Sequence, residues 1–156
     1  MPSNTFLVER TIVIDAAPEV VHALIDNFHE WERWSPYEGV DSNMQKTFTG
    51  PESGVGASYS WSGNRKAGTG TMTITESVPA DRVVLDLAFS APFKAQNVTT
   101  FLIEKQSDGT VVRWQMTGKK NVLFRLLGFV LTMDKLVGKD FEKGLAALKA
   151  EAEQQV

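Results

Sequence analysis

Residues 68–89 read GTGTMTITESVPADRVVLDLAF, and the fold turns on how this stretch is parsed. Met72, Ile74 and Glu76 alternate with Thr71, Thr73 and Thr75, the two-residue period of a strand with distinct faces. Pro79-Ala80-Asp81 interrupts the run, and residues 82–89 resume it with Leu85, Leu87 and Phe89 on one parity. Two such runs joined by so short a link pair as antiparallel neighbours.

The same texture extends in both directions. Upstream, 44–49 and 57–62 are strand-like and are punctuated by Gly50-Pro51-Glu52-Ser53-Gly54 and Gly63-Asn64. Downstream, Ala91-Pro92 precedes a run over 96–106, and Ser107-Asp108-Gly109 gives the clearest hairpin signal before 110–118. Residues 5–15, rich in β-branched side chains, predict a first strand. Between it and the meander, Val20, Val21, Leu24 and Phe28 recur at helical spacing, so 18–27 predicts a short helix with Pro18 in its first turn. A second short helix over 28–34 stops before Ser35-Pro36. After Lys120 the helical period returns, first as an apolar helix over 122–130. Then Leu136, Val137, Phe141, Leu145 and Leu148 stripe a long C-terminal helix that Gly138 is expected to loosen. The expected fold is α+β: about seven antiparallel strands in a curved sheet wrapped around one long helix, with two short helices after the first strand.

The totals agree. Hydrophobic residues make up 42% of the 156 and charged residues 22%, the balance of a globular chain. No repeat or linker divides it, so one domain over 1–156 is expected. A net charge of −3 argues against a general electrostatic grip on nucleic acid. The absence of cysteine excludes disulfides, thiolate metal sites and a cysteine nucleophile. Residues 1–10 lack the order of a signal peptide, and the apolar stretch 122–131 carries Arg125 and falls short of a membrane span, so a cytoplasmic location is expected.

Several local sequences carry a family resemblance. They are Phe28-His29-Glu30-Trp31-Glu32-Arg33-Trp34-Ser35-Pro36-Tyr37-Glu38, the Gly54-Val55-Gly56 turn entering Tyr59-Ser60-Trp61, and Thr73-Ile74-Thr75-Glu76 followed by Pro79. Gly109-Thr110-Val111-Val112-Arg113-Trp114 and Asp140-Phe141-Glu142-Lys143-Gly144-Leu145, with Leu148-Lys149 behind, complete the set. In this order they resemble the START-like (SRPBCC) superfamily with its helix-grip fold, and within it the polyketide cyclase/dehydrase and lipid-transport-like group. The resemblance spans nearly the whole chain. It implies a deep cavity between the concave sheet and the long helix, on a scaffold that hosts carriers, cyclases, hydrolases and regulators alike.

Strand parity and the helical stripe nominate the lining of such a cavity: Trp34, Tyr59, Trp61, Met72, Ile74, Leu87, Phe89, Phe101, Trp114, Met116, Met133 and Leu136. Tyr59, Trp61 and Trp114 both pack and donate hydrogen bonds, and the methionines give an adaptable wall. The competing reading is a filled core. Trp31 and Trp34, three apart, share a side and anchor their helix to the sheet. In the alternative, one of them borders the entrance with Tyr37.

Chemistry is sparse. His22 sits off the helical stripe and is expected to face solvent, while His29 falls at a turn, and neither has zinc-ligand spacing. Gly54-Val55-Gly56 lacks the sequel of a phosphate loop, and Asn64-Arg65-Lys66 reads as a solvated basic loop. No metal and no cofactor are expected. The acidic residue on an apolar parity is Glu76. Buried, it is a candidate general acid or base beside Tyr59. At a strand end, it is an exposed or paired rim residue.

Three functions follow. The first is binding or carrying a small, largely apolar metabolite or lipid. The second is a cyclase/dehydrase-type enzyme acting on a polyketide-like substrate with Glu76 and Tyr59. The third is a ligand-responsive regulatory module acting through 122–131. The expected partner is a small apolar ligand, with no nucleic acid and no stable membrane insertion. Transient membrane contact through 122–131 stays open.

Overall fold

The structure, a computed structural model, describes residues 5–36, 44–63, 68–91, 94–119 and 129–154, the side chains of 5, 91, 119 and 129–136 excepted. Seven strands follow one another as β1 (Thr5–Ile14), β2 (Gln45–Thr49), β3 (Ser58–Ser62), β4 (Thr69–Val78), β5 (Arg82–Ala91), β6 (Ala95–Gln106) and β7 (Gly109–Lys119). They form one antiparallel sheet in the order β1-β7-β6-β5-β4-β3-β2. Short links make β2 to β7 a sequential meander, and β1 closes on its far side by pairing with β7.

Between β1 and β2 lie α1 (Pro18–Ile25) and a 3-10 turn (Glu30–Arg33). The sequence predicts two short helices here. The first ends two residues earlier than 27, and the second forms only the tighter turn. The reason is visible in the tryptophans. The Trp31 indole N–H donates to the Ile25 carbonyl at 2.7 Å and that of Trp34 to the Leu24 carbonyl at 2.9 Å. They satisfy carbonyls that the end of a helix leaves orphaned, so the chain stops α1 by folding its own aromatics back over it.

The C-terminal helix α2 (Phe129–Gln154) runs unbroken through Gly138, contrary to the expected loosening there. Its buried stripe is Phe141, Leu145, Leu148 and Ala152, and its main contacts are with β1, α1 and the 3-10 turn. Of the expected apolar helix over 122–130, residues 129 and 130 belong to α2 and the rest lie outside the described residues, as do Tyr37 and Asn64-Arg65-Lys66.

Alternation holds along most strands and shifts at two places in the β4–β5 pairing, between Thr69 and Gly70 and, more informatively, between Ile74 and Glu76. In β4 the pairing shifts from Ile74↔Leu85 to Glu76↔Val84, leaving Thr75 as an extra residue. A bulge of one residue reverses parity beyond it. Ser77 therefore lies opposite fully buried Val83, on the face that carries the helices, and Glu76 is turned to the other face. The expected grouping of Glu76 with Met72 and Ile74 is corrected accordingly.

The inward Ser77 also explains a second correction. His22, expected in solvent, is only 9% exposed, and its Nε2 meets the Ser77 hydroxyl at 3.0 Å. Ser77 in turn donates to Asp26 Oδ1 at 2.6 Å. The α1 surface is buried over a wider arc than its apolar stripe because the polar His22 has a hydroxyl partner waiting on β4.

Candidate functional site

The helix-bearing face of the sheet divides into two regions. Under the C-terminal half of α2 it is solid. Trp34 meets Phe101 and Trp114 edge-on at 5.8 and 5.7 Å, Phe101 lies 4.8 Å from Trp114, and Trp114 stacks on Phe141. Of the proposed lining, Trp34, Phe101 and Trp114 belong to this plug, with Ile74 buried beside it. The Trp114 indole nitrogen is buried there without a hydrogen-bond partner among the described residues.

Farther along the strands the character changes. Tyr59, Met72 and Leu87 lie in register across β3, β4 and β5, and Trp61, Gly70 and Phe89 form the next row. Tyr59 stacks on Trp61 at 5.9 Å, and Trp61 meets Phe89 edge-on at 5.5 Å. Tyr59 is buried, whereas Trp61, Met72, Leu87 and Phe89 keep part of their surface accessible. Met116, buried on β7, adjoins this region. Met133 and Leu136 sit on α2 in the stretch whose side chains lie outside the described residues.

Two polar residues sit in this otherwise apolar wall. Asn97 and Thr99 on β6 are each 5% exposed, on the parity of Phe101 and Ile103. Asn97 pairs across to Leu87 and Gly118, and Thr99 to Leu85 and Met116. Neither contributes a side-chain atom that is both sealed from solvent and unpaired; among the described residues that holds for the Trp114 indole nitrogen alone. Alternation along β6 (Asn97, Thr99, Phe101, Ile103) carries the signal that would have nominated them, since polar residues interrupt an apolar parity.

The candidate catalytic pair does not converge. Glu76 is 46% exposed on the opposite face, where the Arg82 Nε donates to its Oε1 at 2.5 Å. That contact, aided by Asp81, raises the Arg82 pKa further above its ordinary value. Tyr59 lies on the helix-bearing face. Among the described residues no three His, Asp or Glu side chains gather as a metal site.

Two grooves are formed. One, of about 350 Å³, is lined by Trp61, Gly70 and Phe89 of the apolar strip together with Gln45, Thr47, Ser60, Ser62, Thr69, Thr71, Ala88 and Ser90. Its hydroxyls already bond each other, Ser60 to Thr71 at 2.9 Å and Ser62 to Thr69 at 3.3 Å. The other, of about 230 Å³, lies beside β2 between Phe28, Phe48 and Glu52, where His29 stacks on Phe48 at 4.0 Å. Neither brings together groups poised for acid–base or nucleophilic chemistry.

A sheet of seven antiparallel strands gripping one long helix, with an aromatic helix-bearing face, is the architecture of a helix-grip domain. The chain belongs to the family described as polyketide cyclase/dehydrase and lipid transport, whose model matches residues 5–153. No curated protein matches it in sequence. Among solved structures it is similar to StfQ, a di-domain aromatase/cyclase from the steffimycin biosynthetic pathway. The identity is 13% and the TM-score 0.74, over 97% of this chain and 51% of that one. BexL, a di-domain aromatase/cyclase from the BE-7585A pathway, is similar at 19% identity and TM-score 0.72, again over 97% and 51%. This chain thus spans about half of either protein. A protein from Thermobifida fusca solved by NMR matches at 17% identity and TM-score 0.70, over 95% of this chain and 93% of that one. No helix among the described residues is long and apolar enough to cross a membrane.

Proposed function

We propose that this chain binds and carries a small, largely apolar metabolite or lipid on the helix-bearing face of the sheet, beyond the aromatic plug. One observation carries the reading. Trp61, Met72, Leu87 and Phe89 form a contiguous apolar strip that stays partly accessible, while the same face is packed solid under Phe141. Apolar side chains left part-open in a concave surface, with few polar groups among them, are the ordinary composition of a small-molecule site. The family, which includes lipid transport in its description, supports the same reading. Carriage needs no catalytic constellation, and the separation of Glu76 from Tyr59 favours it over the cyclase alternative built on that pair.

Titration with N-phenyl-1-naphthylamine, a neutral dye that brightens in apolar surroundings, tests the proposal. Saturable brightening, weakened several-fold by Trp61→Ala and by Phe89→Ala, is expected. No saturable signal, or one that both variants leave intact, overturns it.

A further inference from the structure

We infer that β2 is a docking edge for a second copy of this chain, giving a weak two-fold dimer in which the two sheets join edge to edge. The inference is independent of the carrier reading. The ends of the sheet are β1 and β2. β1 carries the main contacts of α2, whereas β2 has β3 as its main neighbour. An edge strand presents a row of backbone N–H and C=O groups that another strand can complete. A two-fold axis perpendicular to the sheet keeps each face on its own side, so residues that meet across it share a parity.

The side chains of β2 choose among the registers this allows. Lys46 and Phe48 are half-buried on the face of Trp61 and Tyr59, while Gln45, Thr47 and Thr49 are exposed on the other. An axis at Lys46 sets like charge against like. An axis at Phe48 leaves Lys46 opposite Gly50, where the chain has already turned away at a φ of 78°. An axis at Thr47 pairs all five residues of the strand, and it sets Lys46 against the partner's Phe48. Opposed side chains then stand about 4.5–5.5 Å apart at Cβ. A lysine on an edge ordinarily deters pairing. Here it selects one register, because that register gives both of its parts a place. Phe48 and Glu52 line the same groove, of about 230 Å³, with His29 stacked on Phe48 as its wall. The lysine stem packs on the partner's Phe48, and its ammonium reaches the partner's exposed Glu52 at the groove mouth. Symmetry makes this contact twice. Five paired residues bury less than a permanent dimer needs, so the association is weak and reversible.

Sedimentation equilibrium of the full chain at rising concentration tests this. A reversible monomer–dimer equilibrium, weakened by added salt, is expected. Lys46→Glu and Glu52→Lys each bring like charges together at both symmetric contacts, and each should weaken self-association about tenfold. Mixed in equal amounts, the two variants should form a heterodimer of the original strength, since opposite charges then meet at both contacts. That rescue separates a lost contact from a lost fold. A chain that stays monomeric at every concentration, a dimer that both single variants retain undiminished, or a mixture no stronger than its components overturns the inference.

Discussion

The Trp114 indole lies flat on the Phe141 ring, with centroids 4.0 Å apart and planes within 9° of parallel. This contact marks where α2 is fastened to the sheet. On one side of it Trp34 and Phe101 complete a solid core, and on the other the apolar strip of Trp61, Leu87 and Phe89 is left part-open. One scaffold thus separates the residues that hold the helix from those it leaves part-open.

Truncating Phe141 should test the fastening alone. Phe141 is almost fully buried, and Phe→Ala changes in cores cost about 3–5 kcal/mol through lost burial plus the cavity left behind. Phe141→Ala is expected to lower the unfolding free energy by that amount, read as a lower urea midpoint at unchanged slope, and Phe141→Leu by much less. A loss of unfolding free energy below about 1 kcal/mol would show that α2 is held elsewhere.

Gly144 sets local propensity against packing. Alanine in a helix interior is favoured over glycine by about 1 kcal/mol. A Cβ at 144, however, would lie 2.8 Å from both the Pro36 ring and the Trp114 ring. Overpacking of this kind costs about 1–3 kcal/mol, so Gly144→Ala should destabilise despite its better helix propensity. A raised melting temperature would refute this.

The strand order, the sheet and the long helix were legible because period-two and period-3.6 patterns are written locally, with turn residues between them. The bulge at Thr75 was not, since no glycine or proline marks it and only the pairing with Val84 and Leu85 reveals the extra residue. That single insertion misplaced Glu76 and concealed the role of Ser77 as a partner for His22. Strand parity grouped Trp114 and Phe101 with Tyr59 and Trp61, and it was right about the face. It could not say which of them Trp34 and Phe141 would cover, because that depends on where two distant helical segments dock. Asn97 and Thr99 were not nominated for the lining because polar residues on an apolar parity acquire meaning only once their burial is known.

Asp140, beside Phe141 on α2, gives a pH signature. Burial pushes its carboxyl above the usual carboxylate range, with Lys143 acting in the opposite sense. The folded chain then holds this proton more tightly than the unfolded one. Between the unfolded and folded values the folded state binds more protons, so stability falls as pH rises through that window. The penalty is absent below the unfolded value and complete above the folded one. Asp140→Asn should therefore stabilise slightly at neutral pH, with the difference vanishing in acid below the ordinary carboxylate pKa. Thermal melts across this range check it, and a variant less stable at neutral pH would contradict the sign.

Glu76 supplies the sharpest contrast between carriage and a cyclase built on this carboxylate. Its partner is Arg82, on the face away from Tyr59 and the apolar strip. An exposed ion pair of this kind contributes about 0–1 kcal/mol, screened further by salt. Glu76→Gln should thus change the unfolding free energy by no more than that, and less at high ionic strength. Binding of N-phenyl-1-naphthylamine should be unchanged, because the bulge at Thr75 directs this side chain out of the site. A several-fold loss of dye affinity in Glu76→Gln, with the melting temperature intact, would place the carboxylate in the site and return the acid–base alternative to the front.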